Sequence, residues 1–375
     1  MINERINLLQ FFVLLQLFLF GTNLVVGSGL DANKDAWMAI LLGTVGGVLL
    51  FLIYFYLYTL YPSLSLVGYS KKILGKHIGG FLSLLYIPFF IYAAARDLRD
   101  IGGLMSASVY DNTPIVFINV LMILSVAAIL YMGIEVFVRT AEVFWIVVIG
   151  LAMIGSLLIF ISGLVNINNL LPLLEFGWKP VINATYTHTI MFPYGEMVAF
   201  TIILPHLKDT RNVLKTGIFG ILAGGIFLAY SMALNISVLG LDVTNRSQFP
   251  LLSAIQGIQI MNLIEHLDVM ALLTLIIGVF FKIAVFYYAA IVVMADLFKV
   301  DDKKKLVMPT AIVILYISII IAENFSHHLD EGKFSLKTIF PLFAVGIPAF
   351  YCFIAFIKEK INKKKQGSTS KNTIA

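Results

Sequence analysis

The chain has 375 residues, 60% of them hydrophobic and 13% charged, with a mean hydropathy of +0.95 and a formal net charge of +5. Soluble domains carry about 25% charged residues, and a soluble fold could not cover so much apolar surface with so few charges. This excludes a soluble enzyme or a disordered chain, the lone cysteine Cys352 excludes an intrachain disulfide, and an all-α polytopic membrane protein is expected.

Charge-poor stretches predict ten transmembrane helices, at 7–30, 36–61, 78–106, 113–134, 143–165, 184–205, 214–240, 264–296, 306–322 and 338–357. The first is read as a span and not as a signal peptide. Glu4 and Arg5 cancel, and the apolar run continues through Asn23 to Leu30 with no small-residue cleavage site. None of the ten shows the alternation of a membrane barrel strand. Residues 1–357 read as a single transmembrane domain, and 358–375 as a basic cytoplasmic tail.

Lys and Arg divide unevenly between the two sides. Eighteen of the 26 fall on the side of the termini, including Arg5, Arg139, Lys208, Lys303 to Lys305 and six tail lysines. Five fall opposite, and Arg96, Arg99 and Lys282 stand within spans. By the positive-inside rule both termini are cytoplasmic. The positive charge is topological, so no nucleic-acid partner is implied; membrane lipid surrounds the chain.

Broken helices and buried charges are costly in a bilayer, so they mark candidate sites. The first span contains Gly21-Thr22-Asn23 and Gly27-Ser28-Gly29; the sixth contains Phe192-Pro193-Tyr194-Gly195-Glu196. Breaks in spans one and six of ten match a five-plus-five inverted repeat transporter fold with broken helices 1 and 6, repeat one covering about 7–165 and repeat two about 184–357. Close helix packing through small residues is the plainer account of the first break.

Lys282 is the only charge between Asp268 and Asp296. At that depth an ammonium cannot snorkel to the surface and needs a carboxylate, carbonyl dipoles or loss of its proton. Glu196 lies at similar depth and is the first expected partner, with Asp97 and Asp100 as competitors; a fixed internal strut is the alternative role. In span three Arg96 and Asp100 are four residues apart, which allows a pair within the helix, and Tyr92 extends the same face. At 1.5 Å per residue Arg96 lies about 25 Å along the span, in the outer half, where water could hydrate the cluster. Adjacent His327 and His328 are expected in an outer loop and are a weak metal signal. Four Asn-x-Ser/Thr triplets begin at Asn183, Asn235, Asn245 and Asn324, with Asn235 inside a span. No protease, esterase or phosphate-loop motif occurs, so the chain reads as no enzyme, with no cofactor and no metal.

Several short segments carry a resemblance in order along the chain. They are Lys34-Asp35-Ala36-Trp37, Arg96-Asp97-Leu98-Arg99-Asp100, Asn169-Leu170-Leu171-Pro172, Gly177-Trp178-Lys179-Pro180, Phe192-Pro193-Tyr194-Gly195-Glu196 and Phe280-Phe281-Lys282. Their order and spacing resemble the B subunits of spore germination nutrient receptors, a branch of the amino acid–polyamine–organocation transporter superfamily. His266 departs from the family pattern, which has arginine there. The resemblance implies a germinant-sensing subunit in the inner membrane of the spore, working with a membrane-embedded A subunit and a lipoprotein C subunit. It places the ligand between Thr22, Gly27 and Gly29 of span one, Tyr92 of span three, the span-six break and Lys282 with Tyr287.

Half-helix N-termini favour a ligand carboxylate and hence an amino acid, while Phe192, Tyr194 and Phe281 would equally stack on a sugar. Glu196, Lys282, Arg96, Asp97 and Asp100 are the expected gating or ion-pair residues. Related sodium-driven transporters hold sodium between helices one and eight; a Lys282 ammonium pointing there would take its place. A proton-coupled amino acid transporter is the alternative function, and an ion-conducting subunit is compatible with the receptor.

Overall fold

The computed structural model describes residues 5–207, 211–257 and 268–372, with side chains described to residue 361. Glu4, Lys208, His266 and the end of the tail, which entered the sequence reading, lie outside the described residues or side chains. Among the described residues the chain is helical throughout, apart from loops and one parallel bridge between Ile6 and Leu207.

The helices are α1 Leu8–Val26, α2 Ala36–Leu60, α3 Leu66–Leu74, α4 Lys76–Ser108, α5 Ile115–Met132, α6 Ile134–Ile161 and α7 Trp178–Ala184, followed by α8 Val213–Arg246, α9 Pro250–Gln256, α10 Asp268–Phe298, α11 Lys304–Ile320, α12 Phe325–Pro341 and α13 Ile347–Asn372. Between α7 and α8 the chain continues as wide turns over Thr185–Tyr194 and tight turns over Gly195–Ile202. Among the described residues eight segments are long and apolar enough to cross a membrane, with α12 and α13 joined into one. The irregular segment 178–202 and the 17-residue α11 complete ten crossings in sixth and ninth place. Apolar side chains that cannot gain from burial in water are matched here by lipid: α5 and α6 leave most of their surface outward, whereas α1 and α10 are largely enclosed.

Three boundaries differ from expectation. The fifth crossing begins at Ile134, nine residues early, because Gly133 caps it at φ 103. The last begins at Phe325, where Asn324 accepts a hydrogen bond from His327 N–H, so His327 and His328 lie on a helix and not in an outer loop. The tail expected from 358 continues α13 as backbone helix.

Two breaks organise the centre. α1 departs from helical geometry at Gly21 (φ 5, ψ −129) and ends at Gly27 and Gly29, both in the left-handed region (φ 70 and 78) that a side chain would disfavour. In the sixth crossing Phe192 is extended (φ −122, ψ 107) immediately before Pro193, which has no N–H to continue a helix. The two broken elements run in opposite directions. Ile6 N–H, entering α1, donates to His206 O at the end of the sixth crossing (3.0 Å). The other ends meet where α7 packs on the Leu30–Asp35 turn. There Lys34 Nζ reaches Glu175 at 2.9 Å, and Leu174 N–H donates to the Asp35 carboxylate at 3.1 Å. α10 packs against α4 and α1, carrying Lys282 to the gap between the breaks.

Candidate functional site

Lys282 is fully buried, and its surroundings account for it. Its Nζ lies 2.7 Å from Glu196 Oε2, 3.6 Å from Asp97 Oδ1 and 2.6 Å from Thr22 Oγ1. Thr22 Oγ1 in turn donates to Asp97 Oδ1 at 3.0 Å. The Phe192 ring centroid is 4.4 Å from the ammonium and that of Phe18 is 5.8 Å, so two π faces supplement the carboxylates. Four elements thus converge: the break of α1, α4, the break of the sixth crossing and α10. Two carboxylates share one ammonium.

Above this layer lies a cavity of about 730 Å³. Its mouth is bordered by the Leu30–Asp35 turn, Gln248 and Leu329, on the face opposite the chain's entry into α1. Its deep wall includes Asp97, Phe192 and Glu196. A volume in this range suits a small molecule.

A second polar group closes one side of the cavity, between α4 and α12. Glu331 accepts hydrogen bonds from Tyr92 Oη and pairs with Arg96, and Ser335 meets the same Tyr92 hydroxyl. Arg96 also donates to His328 O at 3.2 Å, and His328 Nε2 lies 2.8 Å from Asp100 Oδ1. Arg96 and Asp100 therefore do not pair with each other, because each finds a partner on α12. The cluster is packed against that helix, and Arg96, Asp97 and Asp100 also border the cavity.

The structure distributes the sequence-predicted residues among three positions. Gly27, Gly29, Phe192, Glu196, Asp97, Asp100 and Arg96 border the cavity. Thr22 and Lys282 stand behind its wall, joined to it through Asp97 and Glu196, and Tyr92 is joined through Glu331. The remaining four turn away. Tyr194 Oη bonds Thr44 Oγ1 at 2.7 Å, and Gly195 packs on Ala344 and Met191. Phe281 stacks on Phe137 with centroids 5.6 Å apart, and Tyr287 donates to Val307 O. Each of these is drawn off by a nearer packing or hydrogen-bonding partner.

Sequence reasoning missed Ser28, His188, His328 and Glu331. The last two carried a signal: His328, Glu331 and Ser335 are spaced three and four apart, the helical spacing of one face, in a stretch read as a loop.

With this geometry in view, the known proteins that the chain resembles become informative. Residues 5–326 match the spore permease family, described as spore germination protein. The chain is 40% identical over 369 residues to Spore germination protein KB of Bacillus subtilis strain 168, covering 98% of this chain and 99% of that one. The chain belongs to the spore germination protein family. In structure this family member is similar to Mhp1, a nucleobase-cation-symport-1 family transporter solved with bromovinylhydantoin bound, at a TM-score of 0.70 and 12% identity, covering 93% of this chain and 77% of that one. It is also similar to MhsT, solved in complex with L-phenylalanine, at a TM-score of 0.64 and 13% identity, covering 91% and 88%. At such identities the likeness is one of fold, and that fold is the five-plus-five inverted repeat with broken helices 1 and 6. The family member is an integral membrane protein with a transporter fold.

Proposed function

We propose that this protein is the membrane-embedded germinant-sensing subunit of a spore nutrient receptor, binding a small molecule, an amino acid, at mid-membrane. The observation that carries this reading is the cavity between the two helix breaks, ending on Asp97 and Glu196 above Lys282. Family membership supplies the physiological setting. The reading places the chain in the inner spore membrane with both termini cytoplasmic, as a single transmembrane domain over residues 1–357. It signals through A and C subunits and performs no catalysis. Gly27, Gly29, Phe192 and Glu196 contact the ligand directly, while Lys282, Asp97 and Arg96 set the charge around it.

A helical bundle whose wall holds two carboxylates and one ammonium in contact can exist in more than one charge arrangement. Ligand entry from the cavity side changes which carboxylate the ammonium prefers, and this gives binding a route to helix movement. The test is nutrient profiling of spores lacking this gene, complemented with the wild type, Glu196→Gln or Lys282→Ala. Restoration of one nutrient response by the wild type and its loss in both variants is expected. Uptake of labelled amino acid into vesicles by this chain alone would instead establish a proton-coupled transporter.

A further inference from the structure

Among the described residues, four that line the cavity hold a buried polar atom with no hydrogen-bond partner: Ser28 Oγ, His188 Nδ1, Asp97 Oδ2 and Glu196 Oε2, the last of which is ion-paired with Lys282. Buried polar groups are normally paired, since each orphan costs about 1–3 kcal/mol, so a cavity lined by residues that hold such orphans is a place where a polar group would be favoured. The most costly is the Asp97 carboxylate oxygen. Asp97 is 3% exposed, and its other oxygen is already taken by Thr22 and lies 3.6 Å from Lys282.

The charges around the cavity define what would satisfy it. Arg96 is paired with Glu331, exposed Lys333 with Asp330, and His328 meets Asp100. At the deep wall this leaves Asp97 and Glu196 facing the single ammonium of Lys282. With both carboxylates ionised, one negative charge has no cationic partner among the described residues, and both carboxylate residues line the cavity. An anion or a neutral molecule would leave it so. A second cationic group balances it and supplies hydrogen to the free oxygen.

We propose that Asp97 Oδ2, with the adjoining Glu196 carboxylate, forms a subsite for a primary ammonium group of the ligand. Lys282 acts as its tethered counterpart on the far side of the same two carboxylates. This deepens the reading of the cavity as the ligand site and rests on it. Asp97 becomes the residue that separates amino compounds from hydroxy acids and sugars of the same size.

The test uses the purified full chain and its thermal unfolding midpoint. The probes are methylammonium chloride and the twenty standard amino acids, set against sodium chloride, the matching 2-hydroxy acids and D-hexoses. At least one amino compound raises the midpoint in a saturable manner, its hydroxy counterpart binds at least tenfold more weakly, and Asp97→Asn abolishes the shift. If Asp97→Asn does not fold, the comparison of amino with hydroxy compounds on the wild type decides. The subsite is refuted if no amino compound shifts the midpoint, or if hydroxy acids act as well. A shift by hexoses alone refutes the ammonium subsite while leaving the cavity a ligand site.

Discussion

The aliphatic stem of Lys282 lies directly on Gly21, so that a Cβ on Gly21 would stand 2.5 Å from Lys282 Cδ and 3.0 Å from its Cβ. The missing side chain in α1 is what lets α10 deliver the ammonium to Glu196 and Asp97. A glycine, a poor helix former in itself, is here the floor on which the charged residue rests.

Gly21→Ala should therefore act through Lys282. Overpacking of this kind costs about 1–3 kcal/mol, and the displaced ammonium would no longer reach both carboxylates. A fall in the unfolding midpoint is expected, together with loss of the ligand response. In a Lys282→Ala background the same change should cost less, because the 2.5 Å clash with Cδ is gone and only the 3.0 Å approach to Cβ remains. Equal costs in the two backgrounds would show that the contact carries no energy.

Lys282→Met removes the only cation that Asp97 and Glu196 share among the described residues. Leaving a buried charge without its partner costs about 3–5 kcal/mol. Thermal unfolding of the single variant should reveal a loss of that order. Adding Glu196→Gln should restore part of it, since one of the two stranded carboxylates is then neutral. A Lys282→Met protein as stable as the wild type would contradict this account.

Much of this arrangement could be read from the sequence because a bilayer makes irregularity conspicuous. Pro193 next to Gly195 and Glu196, and a lone lysine at mid-span, have few physical explanations in hydrocarbon, and both converge on one place. The direction of individual side chains was not legible in the same way. Phe281 and Tyr287 lie one and five residues from Lys282, yet each helical step turns about 100°, and both point into neighbouring helices. α12 was hidden for a different reason. His327, His328, Asp330, Glu331 and Lys333 lower its hydropathy below that of a span, although the helix lines the cavity with Leu329, Gly332, Lys333 and Leu336.

Glu331 ties α12 to α4 through Tyr92 and Arg96 beside the cavity, and α12 passes at Pro341 into a wide-turn segment over Leu342–Gly346. The pair is partly exposed, with side-chain exposures of 13% and 26%, so solvent screening reduces its strength. Its loss should shift the balance towards an open cavity by about 1–2 kcal/mol, roughly tenfold in population. The sole cysteine, Cys352, is replaced by serine and a reporter cysteine is placed at Leu329. Glu331→Ala should then speed labelling by an impermeant maleimide, and an unchanged rate would mean that α12 is held by other contacts.

The oxygen set around Lys282 also bears on ion coupling. Thr22 Oγ1 at 2.6 Å, Glu196 Oε2 at 2.7 Å and Asp97 Oδ1 at 3.6 Å lie between α1, α4, the sixth crossing and α10, and a covalently tethered cation occupies their common centre. A sodium ion entering the same set would lie within about 4 Å of the ammonium, where like charges repel by about 4 kcal/mol at an effective dielectric constant near 20. Within this set of three oxygens it would gain none that Lys282 does not already use, since Asp97 Oδ2 lies outside the set. Ligand affinity of the purified protein should therefore not rise when potassium is replaced by sodium at constant ionic strength. In Lys282→Ala the oxygens are freed, and sodium should begin to stabilise the protein. A sodium-dependent gain in the wild type would show that the ammonium does not hold the ion's place.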